Sequence, residues 1–462
     1  MQTDRKSIIV FGAGKTAIKQ YEWAAFAGYQ VLFYVDNDSA KWGKAIGSLL
    51  VYSPAILNEY NCTIVFQDLY GKEIESQLEE MSYRGRKISF SQLKKEAVCR
   101  SNFDIELPKV QIKKETCFVF DTYFSVPSWG GTERWSCMVA KGLSDLGVRT
   151  CLICGENSRF DEFSDCCLHF PEENEIEMIK KIAAKIVEYL PCVFVSRASI
   201  ALYAARIIKS IFPNQIRLIA VAHGDEEGIY NILSYWSDRI DKIICISKRI
   251  YNKFQKQYGL GEDTLLYRPN PIQVSPIFSR KKISTESVKI GFAARLSKEA
   301  KRTYLLPEII EGCMKKKLNV EFNIAGEGEC LDQLLAYVTD RHLESRVHVL
   351  GWVAPRDMDD FWRRQDIYLN ISDHEGMSLA MLEAMSQGAI PVVTNVSGVA
   401  DLIEDGKNGF VVPIGNWMDV VDKIEFICKN RECVEKVRDY NRNLIEEKCN
   451  LHDYVKWMLE TL

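Results

Sequence analysis

Ser372-Asp373-His374-Glu375-Gly376-Met377-Ser378-Leu379-Ala380-Met381-Leu382-Glu383-Ala384-Met385 follows directly on the apolar run at residues 367–371. The run reads as a buried strand, Gly376 permits a tight turn, and strong helix formers follow from Ser378 on. A helix entered this abruptly leaves its first N–H groups and positive dipole end at the carboxyl edge of the sheet, where a diphosphate can be held. Glu375, just ahead of the helix, can accept hydrogen bonds from sugar hydroxyls. Glu383, two turns further on, can reach another part of an elongated ligand. Two carboxylates flanking an anion site describe a nucleotide sugar, although both glutamates also fit a plain solvated helix.

Similar strand-like runs occur at residues 288–293, 320–325, 347–350 and 390–394, with helical stretches between them. A preceding set lies at 117–120, 150–154, 193–196, 217–222 and 242–247. The turn Ser128-Trp129-Gly130-Gly131-Thr132 there leads into a helix from about Glu133. This alternation predicts two doubly wound parallel sheets, each binding ligands at the carboxyl ends of its strands. A third, smaller α/β unit begins the chain. Its strand at 8–10 runs into Gly12-Ala13-Gly14, then a helix, then a strand ending at Asp36. The polar, aperiodic stretch 101–116 separates the two regions. The expected domains are therefore 1–105, a linker at 106–116, a lobe at 117–280, a second lobe at 281–433 and a helical segment at 434–462 that crosses back to the first lobe.

The chain has 462 residues, 47% of them apolar, with a formal charge of -4. That balance gives no electrostatic reason to expect nucleic acid as a partner. Fifteen cysteines without regular spacing, and a first stretch at residues 1–7 without an apolar core, point to a reducing cytoplasm. Cys151 with Cys154 and Cys166 with Cys167 lack a second pair at zinc-finger spacing, so they read as small buried thiols. No run is long enough to span a membrane. Membrane contact would have to be peripheral.

In this setting the Glu-x7-Glu spacing of Glu375 and Glu383 resembles the donor-site motif of retaining GT-B glycosyltransferases of family 4, the glycosyl transferases group 1. Gly291-Phe292-Ala293-Ala294-Arg295-Leu296 with Lys301 is similar to the family's arginine and lysine that hold the donor diphosphate. Ile324-Ala325-Gly326-Glu327-Gly328, Leu350-Gly351-Trp352, Gln387-Gly388-Ala389-Ile390-Pro391 and Asn408-Gly409-Phe410 also resemble it. In the preceding lobe, Gly130-Gly131-Thr132-Glu133-Arg134 looks like the loop over the donor phosphates, and Ala222-His223-Gly224 like the active-site histidine. The resemblance covers about residues 117–462 and implies an α/β fold of GT-B architecture, two Rossmann-like lobes facing across a cleft. Two features depart from it. The Arg-to-Lys spacing is longer by about one residue, so that Lys298, Lys301 and Arg302 compete for the phosphate role, with Lys301 favoured. The residue after the glycine of the Glu motif is Met377.

The resemblance further implies transfer from a UDP- or GDP-linked sugar, with retention, to a glycan, lipid-linked or protein acceptor in bacterial surface polysaccharide or glycoconjugate assembly. His223, Glu375, Arg295 and Lys301 would carry the chemistry. Gly130, Gly131, Gly376, Met377, Ser378, Leu379 and Glu383 would bind the donor. Arg295 and Lys301 supply the positive charge a metal provides elsewhere, so no metal or other cofactor is expected.

The Gly12-Ala13-Gly14 turn with Asp36 is a loose dinucleotide fingerprint with Ala17 at the third glycine position. It leaves two roles open for the first domain, accessory or oligomerising, or nucleotide-binding through Gly12, Gly14 and Asp36. An NAD(P)-dependent sugar-modifying oxidoreductase is the main alternative. No Tyr-x3-Lys follows the fingerprint within residues 28–100 to support it. A catalytically silent GT-B binding protein would be expected to have lost Arg295, Lys301, Glu375 or Glu383, and all are present. Every residue tied to the donor lies after residue 129, so a chain starting near Lys113 is expected to fold without the first domain.

Overall fold

The computed structural model describes residues 7–99, 115–122, 130–155, 167–168, 174–275 and 287–462. Most of the predicted linker, Ser128 and Trp129 of the glycine turn, Cys166, and Pro276 lie outside the described residues.

The chain opens with β1 (Ser7–Phe11), α1 (Ala17–Phe26), β2 (Gln30–Val35), β3 (Ala45–Ile46), β4 (Leu49–Tyr52), β5 (Thr63–Phe66), α2 (Gly71–Glu80), β6 (Lys87–Ser89) and α3 (Phe90–Cys99). The strands form one sheet in the order β3-β4-β2-β1-β5-β6, parallel apart from the β3–β4 hairpin. Winding outward on both sides of β1 is the half-Rossmann pattern. Its core gathers Ile9, Phe11, Phe33, Val35, Leu57, Ile64, Phe66 and Leu78. The sequence reading does not anticipate β3 and β4, because strands of two and four residues carry little periodicity. The available signal was the Gly47-Ser48 pair between Ile46 and Leu49, with Gly47 left-handed at φ 61°.

The next elements are β7 (Cys117–Asp121), α4 (Gly131–Asp145), β8 (Thr150–Gly155), β9 (Cys167–Leu168), α5 (Glu175–Glu188), β10 (Cys192–Ser196), α6 (Ile200–Ile211), β11 (Ile216–Ala222), α7 (Glu227–Tyr235), β12 (Lys242–Cys245), α8 (Lys248–Tyr258) and β13 (Leu265–Tyr267). The chain ends with β14 (Val288–Ala293), α9 (Leu306–Lys315), β15 (Val320–Ala325), α10 (Leu331–Asp340), β16 (Val347–Gly351), α11 (Met358–Arg363), β17 (Ile367–Asn370), α12 (Leu379–Ser386), β18 (Ile390–Thr394), α13 (Val399–Leu402), β19 (Phe410–Val412), α14 (Trp417–Lys429), α15 (Arg431–Lys448) and α16 (Leu451–Thr461).

These elements fall into two compact units, Met1–Val126 with Ile153–Leu218, and Pro127–Leu152 with Ile219–Leu462. In the first unit the strands after the opening sheet follow the order β10-β7-β8-β9, with β7 and β10 parallel. Two helix contacts, α1 against α5 and α3 against α6, join this group to the opening domain. Glu175 is central there. Its carboxylate accepts from Trp23 Nε1 at 2.7 Å and Lys94 Nζ at 2.9 Å, with Lys19 Nζ at 3.5 Å. The Trp23 and Tyr203 rings lie 5.5 Å apart, and the Lys94 ammonium stands 5.0 Å from the Trp23 ring centroid. Burial alone would raise the Glu175 pKa, but Lys94, the Trp23 N–H and Lys19 more than offset it and hold the carboxyl below its ordinary value. A depressed folded pKa contributes stability above the unfolded value, and that stability is lost as pH falls through the folded one. Glu175→Gln should therefore cost about 1.5–3 kcal/mol at pH 7. The gap in melting temperature from the wild type should close below about pH 4.3, the ordinary glutamate value. A gap that stays constant from pH 7 down to about pH 2 would show that the charge at Glu175 does not matter.

In the second unit β11, β12 and β13 pair in parallel. A further sheet runs β16-β15-β14-β17-β18-β19, all parallel. Parallel sheets are covered on both faces, which is why β17 and β18 are mostly apolar and buried throughout. The core of this sheet includes Ile290, Phe322, Ile324, Leu369, Val392 and Ile424. α16 packs on α4, where Gly142 leaves room for it. A Cβ at Gly142 would stand 3.1 Å from Val455 Cγ1 and 3.3 Å from Leu451 Cγ. Cys62, Cys117, Cys137, Cys151, Cys192, Cys245, Cys313, Cys330, Cys428 and Cys449 are free thiols, and burial pushes Cys313 and Cys449 up to about 12. Such thiols are inert packing groups.

Candidate functional site

The second unit brings most of the donor-motif residues together. Asn370 ends β17, and its side chain organises the turn beyond. Its Oδ1 accepts from Ser372 N at 2.9 Å, and its Nδ2 donates to Tyr368 OH at 3.0 Å and to Glu375 Oε1 at 3.3 Å. Ser372 Oγ adds a 2.8 Å bond to the same carboxylate oxygen, and Lys301 Nζ forms an ion pair with it. Glu375 is thus held by two neutral donors and one cation with its side chain 13% exposed. Two neutral donors and one ammonium fix its direction.

Gly376 permits this turn for a steric reason. A Cβ there would stand 2.0 Å from the carbonyl oxygen of His223 and 2.7 Å from Ile246 Cδ1. Only glycine lets the two backbones approach this closely. Met377 is buried, and its carbonyl accepts from Asn270 Nδ2 at 3.0 Å. Ser378 caps α12 by accepting from Met381 N at 3.3 Å, and its hydroxyl meets Tyr368 OH at 3.0 Å. Gly398, left-handed at φ 79°, passes so close that a Cβ there would stand 2.5 Å from the Gly376 carbonyl oxygen. The start of α4 abuts the start of α12, since a Cβ on Gly131 would lie 3.8 Å from Leu379 Cδ1. Gly130 N donates to Glu133 Oε2 at 3.0 Å, Arg134 pairs with Glu383, and the Trp135 ring stands edge-on to His223 at 4.9 Å.

Of the three competing cations, Lys301 reaches Glu375, Arg302 pairs with Asp373, and Lys298 is exposed. Lys301 lies between Ala300 at φ 60° and Arg302 at φ 46°, two left-handed residues that are not glycine. Each costs roughly 1–2 kcal/mol in backbone energy. The turn is tied by Asp373 N to Ala300 O at 2.7 Å and Thr303 N to Ser297 O at 3.1 Å. Arg295 stands exposed beyond the end of β14, with no side-chain partner among the described residues. The glycine turn of Ile324-Ala325-Gly326-Glu327-Gly328 fits close backbone contact. Cβ atoms at Gly326 and Gly328 would stand 1.9 Å from Ala294 O and 2.4 Å from Leu296 O.

Gly12, Gly14 and Asp36 belong to the first unit. Gly12 is left-handed at φ 112°, and no atom would meet a Cβ on Gly14 within 4 Å. Asp36 accepts from Ala13 N at 2.7 Å, Asp38 N at 2.8 Å and Lys41 Nζ at 2.9 Å. Three of the roughly four acceptor positions of a carboxylate are thereby filled. Burial would raise its pKa, but these donors hold it below its ordinary value. Among the described residues no group of three or more His, Cys, Asp or Glu side chains is placed to hold a metal ion, and no helix is long and apolar enough to cross a membrane.

Sequence reasoning missed Asn370, Ser372, Tyr368 and Asn270, and the pairing of Arg134 with Glu383. Asn370 and Ser372, at alternate positions into the turn, were a readable hint. The Arg134–Glu383 pair, 249 residues apart in the chain, left none.

Residues 275–444 match the family model described as glycosyl transferases group 1, and residues 4–89 match one described as C2185-like, N-terminal. A Staphylococcus aureus poly(ribitol-phosphate) alpha-N-acetylglucosaminyltransferase is 31% identical over 182 residues, covering 38% of this chain and 36% of its own length. The chain thus spans little more than a third of that relative. N-acetyl-alpha-D-glucosaminyl L-malate synthase of Bacillus anthracis is 20% identical over 263 residues, 53% of this chain and 67% of the relative. Among solved structures, Anabaena HepE in complex with UDP and glucose superposes with a TM-score of 0.63 at 16% identity, covering 75% of this chain and 100% of HepE. The fold is that of GT-B glycosyltransferases with parallel-sheet Rossmann-like lobes and an additional α/β domain at the N-terminal end.

Proposed function

We propose, from the glycosyl transferases group 1 domain at residues 275–444 as premise, that this chain transfers a glycosyl group from a nucleoside-diphosphate sugar to an acceptor hydroxyl with retention and without a metal. The observation that supports it most is Glu375, held by Lys301, Ser372 and Asn370 immediately ahead of the capped N-terminus of α12. A sugar hydroxyl donates to this fixed carboxylate while the diphosphate lies at the free N–H groups of α12, between Lys301 and Arg295. The bond between the anomeric carbon and the phosphate oxygen breaks, and the acceptor oxygen bonds to that carbon on the same face. The acceptor proton passes to the departing phosphate oxygen, so neither glutamate acts as nucleophile. His223 lies by the reaction centre. In this reading residues 117–280 form the acceptor-side lobe and 281–433 the donor lobe, in the cytoplasm, with surface glycans as the acceptor class.

The names of both relatives carry an alpha-N-acetylglucosaminyl group, which places UDP-N-acetylglucosamine first in a panel of UDP- and GDP-sugars. Release of nucleoside diphosphate is expected from one member of the panel and should persist in excess EDTA. Inactivation by EDTA that added Mg²⁺ or Mn²⁺ reverses would end the metal-free reading. A product of inverted anomeric configuration by NMR would end retention.

A further inference from the structure

The first turn of α4 aims three successive side chains in three directions, as the 100° step of a helix allows. Glu133 turns back to Gly130 N, Arg134 reaches Glu383, and Trp135 packs against His223. Arg134 Nη2 donates to Glu383 Oε1. The other oxygen, Oε2, has no hydrogen-bond partner among the described residues, although the Glu383 side chain is only 9% exposed. A buried carboxylate oxygen left empty is costly, and the hydroxyls of a vicinal diol are donors of the right kind to fill it.

We propose that Arg134 is a positioning residue that sets the reading of the donor's ribose through Glu383. It rests on the donor reading above. The guanidinium engages Oε1 and fixes the Glu383 rotamer, so that Oε2 is the atom left to accept from the 2′- or 3′-hydroxyl. Without Arg134 the carboxyl swings, and the hydroxyl preference fades. The diphosphate contacts of Arg295, Lys301 and the α12 N–H groups do not involve Arg134, so affinity for the nucleotide as such should largely survive. Selectivity, more than binding itself, is the quantity Arg134 controls.

Calorimetry with UDP and GDP, and with their 2′-deoxy and 3′-deoxy counterparts, tests this on the full chain. The wild type should bind the better of UDP and GDP roughly 10–100-fold more tightly than at least one deoxy form, the range of a hydrogen bond to a charged group. In Arg134→Ala that ratio should fall to within about 3-fold of unity, with Arg134→Lys between the two, because an ammonium restores the charge without the planar fork. A wild-type ratio in a folded Arg134→Ala variant overturns the proposal. So does complete loss of nucleotide binding in that variant, which would place Arg134 on the donor itself. Should Arg134→Ala fail to fold, the proposal stands on an intermediate ratio in Arg134→Lys and a flattened one in Glu383→Gln, and falls if either keeps the wild-type ratio. Binding of UDP or GDP by the wild type with no ribose preference removes this proposal alone. Binding of neither removes the donor reading and this with it.

Discussion

Glu375→Ala and Arg295→Ala should each slow glycosyl transfer by at least about 100-fold, the scale of removing one charged group from a preorganised transition-state site. Their effects on folding should differ. Arg295 is exposed and has no side-chain partner among the described residues, so its variant should melt with the wild type. Glu375 accepts from Ser372 and Asn370 and pairs with Lys301, so its loss should cost on the order of 1 kcal/mol, a few degrees. In Glu375→Ala the released Lys301 remains available to the diphosphate, so kcat should fall far more than donor KM rises. Initial rates against donor concentration separate the two. Near-normal turnover in either variant, with normal melting, would mean that the site is wrongly placed.

Removing residues 1–112 should lower the melting temperature of the remaining chain by roughly 10 °C, on the order of 3 kcal/mol in a unit of this size. The cause is the α1–α5 and α3–α6 contact. Deletion strips Trp23 from Tyr203 and removes Trp23, Lys94 and Lys19 from Glu175, leaving an acid and an aromatic face that the chain normally covers. The position of the motifs predicts that a chain starting near Lys113 folds and keeps donor hydrolysis, and the helix contacts add that it does so at lower stability. The fraction that folds should still hydrolyse donor, because no donor residue is lost. Trp23→Ala in the full chain should reproduce part of the drop. Identical melting of truncated and full-length chains would show the contact to be idle.

The sequence disclosed the fold wherever a strand is five or six residues long and buried on both faces. β14, β15 and β18 occupy the residues that their apolar runs predict. It was silent at β3, β9 and β13, which are two or three residues long and owe their pairing to neighbours already in place. The candidate site divides in the same way. Glu375, Gly376 and Ser378 were legible because a strand, a turn and a helix start follow one another within a dozen residues. The support of Glu375 was partly hidden in residues that look like ordinary strand-end polar groups. Arg134 and Glu383 meet only through the tertiary fold, which no local spacing encodes.

The left-handed pair around Lys301 bears on how this loop tolerates change in length. A spacing stretched by about one residue between Arg295 and Lys301 would ordinarily rotate the lysine away from its target. Here the backbone curls at Ala300 and Arg302 on either side of Lys301, and Nζ reaches Glu375. Trimming one residue from positions 297–300 while leaving the curl would misdirect the lysine. Ala300→Gly, which keeps the length and relieves a strained backbone, should pass almost unnoticed.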